Sequence, residues 1–351
     1  MAEPAVNRVA LIGAGIYPRE AYVPALHKIH ATLVAIYSRS RKSASELLAE
    51  AKKFDGLCAE NLGVYHDDSP DTGGLDQLLQ RDDVTSVIVA LPTTVQPAIV
   101  QKCLAAGKHV LMEKPIAKDV KEGVALIEEY ESQFQPKKLI LAVAEQFRFD
   151  RAHEKARQLV ADGAIGKLVA AHARVWSNVV PGNKWYETEW RKVPDYQGGF
   201  LLDGGVHFVA LLRYVSSDEI VETAAFTRQT HEYLPPLDTV HAALRFGSGA
   251  LGTLSMSWAS VKGEYSYNFI GTEGSLTITG AKGGTKLVVE NAQGQVVSEE
   301  IIAGEGTAQE FLGFFAAIQR GEGDERASPR QALADVAVVE SLCNGGGKVQ
   351  V

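Results

Sequence analysis

Short runs of β-branched and other apolar residues alternate with helical patterns over the first 145 residues of the chain. Such alternation is typical of βαβ units, so it predicts an α/β domain built on a doubly wound parallel sheet with right-handed crossovers. The predicted strands span residues 8–12, 32–37, 86–90, 109–112 and 139–142. The predicted crossover helices span residues 22–29, 43–53, 75–80, 98–106 and 120–130.

The pattern changes after about residue 146, where strand-like segments follow one another with glycine turns between them. Hairpin spacing of this kind predicts an α+β domain with a large, mostly antiparallel open sheet. We therefore expect two domains, residues 1–145 and residues 146–351. Helices 308–320 and 329–342 are candidates to cover one face of the second sheet, which a partner subunit could also cover. An apolar face left bare would allow a homodimer or homotetramer to form through this sheet. The remaining predicted elements are a helix at 152–161 and strands at 168–176, 221–230, 240–246, 249–257, 265–270 and 275–278.

The composition is that of a soluble globular protein, with 46% hydrophobic and 22% charged residues in a chain of 351. The formal net charge of -8 disfavours nonspecific binding to nucleic acid or to an anionic membrane. No apolar run approaches the roughly 20 residues of a membrane span. Cys58, Cys103 and Cys343 form no C-x-x-C pair and the histidines show no metal-ligand spacing, so neither a disulfide framework nor a metal site is predicted. We expect a cytoplasmic protein without metal, nucleic-acid or membrane partners.

The first predicted strand runs into Gly13-Ala14-Gly15-Ile16-Tyr17-Pro18, which carries the first two glycines of the G-x-G-x-x-G dinucleotide fingerprint. Those glycines permit a tight turn and a close approach of the backbone to a pyrophosphate at a helix N-terminus. An ordinary strand-to-turn glycine pair is the alternative. The position at the end of the first strand of a βα series favours a cofactor site that includes Gly13, Gly15, Ile16 and Tyr17.

The second predicted strand ends in Tyr37-Ser38-Arg39-Ser40-Arg41-Lys42, a segment without an acidic residue. A site for NAD usually places Asp or Glu here to accept a hydrogen bond from the ribose 2′-hydroxyl, whereas arginine accommodates the 2′-phosphate of NADP. Ser38 and Arg39 therefore predict binding of NADP(H) in preference to NAD(H). A solvated basic loop before a helix is the alternative.

Two later segments, Ala90-Leu91-Pro92-Thr93-Thr94 and residues 107–115, both reach the carboxyl ends of predicted parallel strands. Ligands bind at this edge of open α/β sheets. Lys114 would thus reach the place where a nicotinamide would lie, and Pro115 fixes the direction of the chain as it leaves the strand. Taken alone, the tripeptide that begins at Glu113 could equally be a surface Glu-Lys pair at a strand end.

The order of these segments along nearly the whole chain resembles the glucose-fructose oxidoreductase/inositol dehydrogenase/rhizopine-catabolism (Gfo/Idh/MocA) family. The matching segments are, in chain order, GAG, SRS, AGKHVLMEKPIA, AEQFRF, GAIGKL, EWRKVPDYQGGFLLDGGVH and FIGTEGSLTI. The resemblance implies that residues 1–145 bind the dinucleotide and that residues 146–351 bind substrate and mediate oligomerisation. It also implies that the protein is a dehydrogenase or reductase that acts on CH–OH or C=O groups.

The resemblance implies that Lys114 lies at the reacting carbon and that Glu113 contacts the nicotinamide ribose. The family's D-x-x-x-H motif appears as Asp203 and His207, and this spacing places both side chains on one face if the segment is helical. The further positions that the resemblance assigns to the cofactor are Leu91, Pro92, Thr93, Gln96, Gln146, Trp190 and Arg191.

Some of these positions depart from the family pattern or have another interpretation. Pro18, Thr93, Gln96 and Gln146 differ from the residues that are usual in the family. Trp190 and Arg191 could instead form an aromatic surface anchor. Gly198 and Gly199, ahead of the D-x-x-x-H motif, would allow a sharp turn of the backbone. None of the departures removes Lys114, Asp203 or His207.

We expect hydride transfer between NADP(H) and an alcohol or carbonyl carbon of a small sugar, polyol or related cyclic substrate. His207 would exchange the hydroxyl proton, Lys114 would stabilise negative charge on the same oxygen, and Asp203 would hold the substrate or tune His207. Lys114 and His207 could also exchange these roles. One alternative is a dihydrodiol dehydrogenase or an imine/enone reductase, and another is a non-catalytic NAD(P)-sensing regulator. In a dihydrodiol dehydrogenase or imine/enone reductase, an apolar substrate pocket would be lined by Trp176, Trp185, Tyr186 and Tyr196.

Overall fold

The computed structural model describes residues 7–68 and 74–350, and these residues form two compact units. The first unit contains the described residues up to Ala117 together with Gly123–Gln146 and Thr307–Gln331. The second unit contains Lys118–Glu122, Phe147–Gly306 and the described residues from Ala332 onward.

The first unit is built on a six-stranded sheet in which every pair of neighbouring strands is parallel. The strand order β3-β2-β1-β4-β5-β6 has β1 at the point where the winding reverses, as in dinucleotide-binding folds. The inner strands are buried almost throughout, because crossover helices cover both faces of such a sheet. The strands are β1 (Arg8–Ile12), β2 (Thr32–Tyr37), β3 (Cys58–Tyr65), β4 (Ser86–Val89), β5 (His109–Glu113) and β6 (Leu141–Ala144).

The predicted strands of this sheet agree with the structure except at its two edges. The edge strand β3 was not predicted, because its half-exposed residues do not form an apolar run. The other edge strand, β6, lies two residues beyond its predicted position, since pairing of Val110 with Leu141 sets its register. The connecting helices are α1 (Val23–Lys28), α2 (Arg41–Ala51), α3 (Gly74–Leu79), α4 (Gln96–Ala105) and α5 (Val120–Glu129).

The second unit is built on a nine-stranded sheet. Among the described residues, only one pair of neighbouring strands in this sheet is parallel, namely the first and the fourth strand in chain order. Its order is β14-β13-β12-β11-β7-β10-β9-β8-β15. The prediction of a large, mostly antiparallel sheet is confirmed, although its last three strands were not predicted. The strands are β7 (Leu168–Asn178), β8 (Ile220–Arg228), β9 (Thr239–Phe246), β10 (Leu251–Ser257), β11 (Ala259–Gly271), β12 (Gly274–Ala281), β13 (Gly284–Asn291), β14 (Val296–Ile302) and β15 (Gly346–Lys348).

Two helices of the second unit contact this sheet: α9 (Gly205–Ser216) contacts β7, and α6 (Arg151–Ala161) contacts β12, β13 and β14. Between them in the chain lie α7 (Glu189–Lys192) and α8 (Phe200–Asp203). Residues 209–216 of α9 are all buried, so this part of the helix is enclosed on all sides and does not present one apolar stripe.

Two C-terminal helices, α10 (Gly306–Arg320) and α11 (Pro329–Cys343), complete the described fold. Both were candidates to cover the second sheet, but α10 belongs from Thr307 onward to the first unit. Phe311 of α10 packs edge-on against Tyr22, with 5.0 Å between ring centroids, and this apolar contact explains the assignment. No helix among the described residues is long and apolar enough to cross a membrane.

Candidate active site

The glycine turn after β1 is shaped by a close approach to the end of β4. Gly13 has a φ of 110°, and its N–H donates to the carbonyl of Tyr37 over 2.9 Å. A Cβ at Gly13 would lie 2.1 Å from the carbonyl oxygen of Ala90, so a larger residue cannot occupy this position. A Cβ at Gly15 would meet no atom of the described residues within 4 Å, so packing within the protein does not require glycine there.

The helix that follows the turn begins with a π-helical turn, Pro18–Tyr22, before α1. The Tyr17 ring lies edge-on to the Tyr22 ring with 5.2 Å between centroids, and the Tyr17 hydroxyl lies 3.3 Å from the Thr307 hydroxyl. Burial, reinforced by the charge of Glu113, raises the pKa of Tyr17. The Tyr17 hydroxyl therefore stays protonated over the physiological pH range.

The basic loop after β2 faces two carboxylates that follow β3 in the chain. Asp67 accepts a hydrogen bond from the Tyr37 hydroxyl over 2.7 Å, and Asp68 accepts one from the Arg41 backbone N–H over 2.6 Å. Arg39 is exposed, whereas Ser38 is buried. Residues 37–42 contain no acidic residue, but Asp67 and Asp68 from another part of the chain lie beside them. Sequence analysis missed these two carboxylates because β3, which precedes them, was not predicted.

The end of β4 is joined to the end of β5 by Gln96. Its amide nitrogen donates to the carbonyl of Glu113 over 2.6 Å, and its amide oxygen accepts from the Leu91 N–H over a longer 3.5 Å. Thr93 in the same connection is buried. Gln96, which the sequence assigns to the cofactor, therefore has a structural contact that holds the backbone of Glu113 in place.

Both carboxylate oxygens of Glu113 are engaged. Oε1 accepts a short hydrogen bond from the Tyr22 hydroxyl, and Oε2 accepts the backbone N–H of Lys114 over 3.1 Å. The Lys114–Pro115 peptide bond is cis. Glu113 and Lys114 thus lie at the carboxyl edge of the parallel sheet, where ligands bind in such folds.

The charges of Glu113 and of a second glutamate, Glu145, both act on a third, Glu310. Glu145 directly follows β6, and Glu310 lies on α10; both are buried. Glu310 Oε2 has no hydrogen-bond partner among the described residues. Burial, and then the charges of Glu113 and Glu145, raise the pKa of Glu310 well above its ordinary value. The surroundings of Glu310 therefore favour its neutral form over the carboxylate, a feature that its place in a helical pattern does not reveal.

Glu310→Gln is expected to raise the melting temperature at about pH 8 by a few degrees, with a gain that shrinks as the pH falls. The pKa of Glu310 in the folded protein lies above the 4.5 of a free glutamate, so folding takes up a proton. Wild-type stability therefore falls as the pH rises from about 4.5 toward the folded-state pKa, whereas a neutral glutamine escapes this loss. Calorimetry between about pH 5 and 8 measures the effect. The exposed Glu322→Gln is the control, and parallel melting curves for wild type and Glu310→Gln would contradict the argument.

The D-x-x-x-H motif of the second unit does not lie on one continuous helix. Asp203 ends α8 and His207 lies in the first turn of α9, with Gly204 between the helices. A Cβ at Gly204 would lie 2.8 Å from the Trp258 ring, so this close packing requires glycine at the break. Gly199 has a φ of 52°, which agrees with the predicted sharp turn before the motif.

Asp203 forms a two-point ion pair with Arg191. Arg191 Nε donates to Asp203 Oδ2 over 2.7 Å and Nη2 donates to Oδ1 over 3.5 Å, while Nη1 donates to the Thr188 hydroxyl over 3.2 Å. The guanidinium also stacks on the Trp190 ring at 4.0 Å and faces the Trp185 ring at 5.3 Å. Arg191, assigned by the sequence to the cofactor, thus orients a carboxylate that the sequence assigns to catalysis.

His207 stacks on Phe147, with 4.8 Å between ring centroids and an angle of 16° between planes. Phe147 follows Gln146 in the chain, and its carbonyl lies 2.9 Å from Nδ1 of the buried His153. The other nitrogen of His153 lies 3.3 Å from the Tyr265 hydroxyl. Sequence reasoning missed Phe147, His153 and Tyr265, and only the AEQFRF segment pointed toward the first of them.

Two of the four aromatic residues that would line an apolar pocket contact residues outside that set. Trp176 donates from its indole nitrogen to the Ser255 hydroxyl on the neighbouring strand over 2.7 Å. Tyr186 packs edge-on against Tyr233. Among the described residues, no group of three or more His, Cys, Asp or Glu side chains could hold a metal ion.

Comparison with known proteins agrees with this architecture in both units. Residues 7–137 match an oxidoreductase family with an NAD-binding Rossmann fold, and residues 153–277 match the GFO/IDH/MocA C-terminal domain. Dehydrogenase FPY6 of Fusarium mangiferae is 35% identical over 97% of this chain and 98% of its own length. A 1,5-anhydro-D-fructose reductase from Ensifer adhaerens is 27% identical over 83% of this chain and 82% of its own. The crystal structure of an oxidoreductase from Thermotoga maritima superposes with a TM-score of 0.84 at 31% identity, covering 98% of each chain.

A parallel dinucleotide-binding sheet, a glycine turn after its first strand and a Glu-Lys pair at its carboxyl edge define an NAD(P)-dependent oxidoreductase. The chain belongs to the Gfo/Idh/MocA family, and the resemblance drawn from its motifs is confirmed.

Proposed function

We propose that this enzyme transfers a hydride between NADP(H) and an alcohol or carbonyl carbon of a small sugar, polyol or related cyclic compound. The observation that carries the proposal is the fixed position of Glu113 and Lys114 at the carboxyl edge of the dinucleotide-binding sheet. The relative named 1,5-anhydro-D-fructose reductase supports the choice of substrate class. When bound, the nicotinamide supplies the hydride chemistry, and the protein supplies orientation and charge.

In this proposal Lys114, His207 and Asp203 each have one role in the reaction. Lys114 donates a hydrogen bond to the substrate oxygen and stabilises its developing negative charge. His207 takes or returns the hydroxyl proton, because histidine changes protonation state near neutral pH more readily than other side chains. Asp203, which is oriented by its ion pair with Arg191, orients the substrate.

The cofactor would be held by the glycine turn after β1 and by the loop after β2. Gly13 permits the tight turn, exposed Gly15 leaves the backbone accessible to a pyrophosphate, and exposed Arg39 is available for a 2′-phosphate. Asp67 and Asp68 already accept hydrogen bonds from Tyr37 and Arg41, which reduces their capacity to accept from a ribose hydroxyl. These contacts support a preference for NADP(H).

The test is an absorbance assay of wild-type protein with NADP(H) or NAD(H) against aldoses, polyols, inositols, ketoses, dihydrodiols and cyclic imines. Turnover of a sugar or polyol, faster with NADP(H), is the expected result. Turnover confined to dihydrodiols or imines would shift the substrate class to the alternative reductases. Tight cofactor binding without turnover of any compound would favour a sensing regulator.

The cofactor preference is tested in the same assay with Arg39→Ala. Loss of a charged hydrogen bond to the 2′-phosphate is expected to raise KM for NADP(H) by about 10- to 100-fold and to leave KM for NAD(H) nearly unchanged. Lys42→Ala, an exposed cation of the same segment, is the matched control. Equal losses with both cofactors would exclude Arg39 as the specificity residue.

A further inference from the structure

We propose that Tyr22 is a positioning residue for catalysis: its hydroxyl holds the Glu113 carboxylate, which in turn holds the backbone of Lys114. This inference rests on the proposed function, in which Lys114 contacts the reacting oxygen. The chain of contacts is direct, because Tyr22 donates to Glu113 Oε1 and Glu113 Oε2 accepts the Lys114 N–H over 3.1 Å.

The Tyr22 hydroxyl is held in one orientation by its surroundings. The side chain is fully buried and belongs to the π-helical turn Pro18–Tyr22. Its ring meets the rings of Tyr17 and Phe311 edge-on, at centroid distances of 5.2 and 5.0 Å. Rings packed in this way on two sides lose their rotational freedom, so the hydroxyl points at Glu113 without further ordering.

The Glu113 carboxylate needs such a donor because other acids surround it. Glu145, after β6, and Glu310, on α10, are both buried. The charges of Glu113, Glu145 and Glu310 act on Tyr17, and those of Glu113 and Glu310 act on Tyr22. A carboxylate among other acids retains its charge and orientation only where donors compensate it. Burial raises the pKa of Tyr22 well above its ordinary value, so its hydroxyl remains a proton donor at every pH of interest.

Tyr22 and Gln96 hold different parts of the same residue. Gln96 donates to the Glu113 backbone carbonyl over 2.6 Å, whereas Tyr22 fixes the side chain. Without the hydroxyl the strand would keep its path, but the carboxylate would lose a donor that fixes its orientation toward the Lys114 N–H. Loss of the Tyr22 hydroxyl is therefore expected to disorder the Glu113 side chain and the Lys114 backbone and to lower turnover, while the fold is retained.

Tyr22→Phe removes this hydroxyl and leaves the ring in place. In steady-state kinetics we expect kcat to fall about 10- to 100-fold, the loss typical of a hydrogen bond to a charged group, while KM for substrate stays within about threefold. A merely structural role would not separate kcat from KM in this way. Tyr130→Phe is the matched control, since it removes a buried tyrosine hydroxyl that donates to the Leu139 carbonyl over 3.0 Å in the same unit.

A second readout needs no substrate. In protein labelled with nitrogen isotope at lysine, hydrogen exchange of the Lys114 amide is expected to be at least about tenfold faster in Tyr22→Phe than in wild type and unchanged in Tyr130→Phe. Unchanged exchange would overturn the inference, whatever the kinetics show. If wild type turned over no compound while exchange responded as expected, the positioning contact would stand and the proposed function would fail.

Discussion

Lys114→Met is expected to lower kcat by about 10²- to 10⁴-fold while the affinity for NADP(H) changes by less than about threefold. Methionine has nearly the length of lysine and no charge, so the variant removes the ammonium from the carboxyl edge of the parallel sheet with little change in volume. Charge that develops on a substrate oxygen would lose its stabilising donor. Cofactor binding depends mainly on the glycine turn and the loop after β2, so it should survive.

The matched control is Lys121→Met, because Lys121 is an exposed lysine on α5 a short distance along the chain. Turnover and cofactor affinity should both stay at wild-type values in this control. Parallel losses of turnover and NADP(H) binding in Lys114→Met would show that Lys114 binds the cofactor and does not stabilise the reacting oxygen. Cofactor titration by fluorescence and initial rates in the same buffer separate these outcomes.

Asp335→Ala is expected to lower the free energy of unfolding of the second unit by about 3–5 kcal/mol. Asp335 on α11 accepts two hydrogen bonds from Arg148 Nη2, at 2.8 and 2.7 Å, and a shorter one from Arg213 Nη1. The side chains of Arg148 and Arg213 are only 3% and 2% exposed, respectively. Removing the carboxylate takes away the counter-ion that Arg148 pairs with, whereas Arg213 keeps its ion pair with Glu219.

Tryptophan fluorescence during urea unfolding measures this loss for the second unit specifically. All four tryptophans of the chain lie in that unit, at positions 176, 185, 190 and 258. Glu222→Ala is the control, because its pair with Arg245 joins side chains that are 47% and 61% exposed and should contribute at most about 1 kcal/mol. A loss below about 1 kcal/mol in Asp335→Ala would show that water or other groups compensate the arginines.

Sequence patterns determined the local structure of this protein, namely the bounds of single strands, the glycine turn and the short motifs. Apolar periodicity predicted the first two strands at their observed bounds, because buried parallel strands leave continuous apolar runs in the chain. The glycine turn at Gly13 was predictable for a similar reason, since a backbone with positive φ selects glycine directly. The Glu-Lys-Pro segment and the D-x-x-x-H motif were recognisable because each of them lies within a few residues of sequence.

Tertiary structure alone decided which distant residues meet. Asp335 is 187 residues from Arg148 and 122 residues from Arg213, and no periodicity records such a pairing. Glu310 reaches the first unit because α10 returns to it, although its apolar pattern suits cover for either sheet. Periodicity reports only that a helix has an apolar face. The partner of that face, and hence the neighbours of its polar residues, are set by chain topology and by packing over the whole fold.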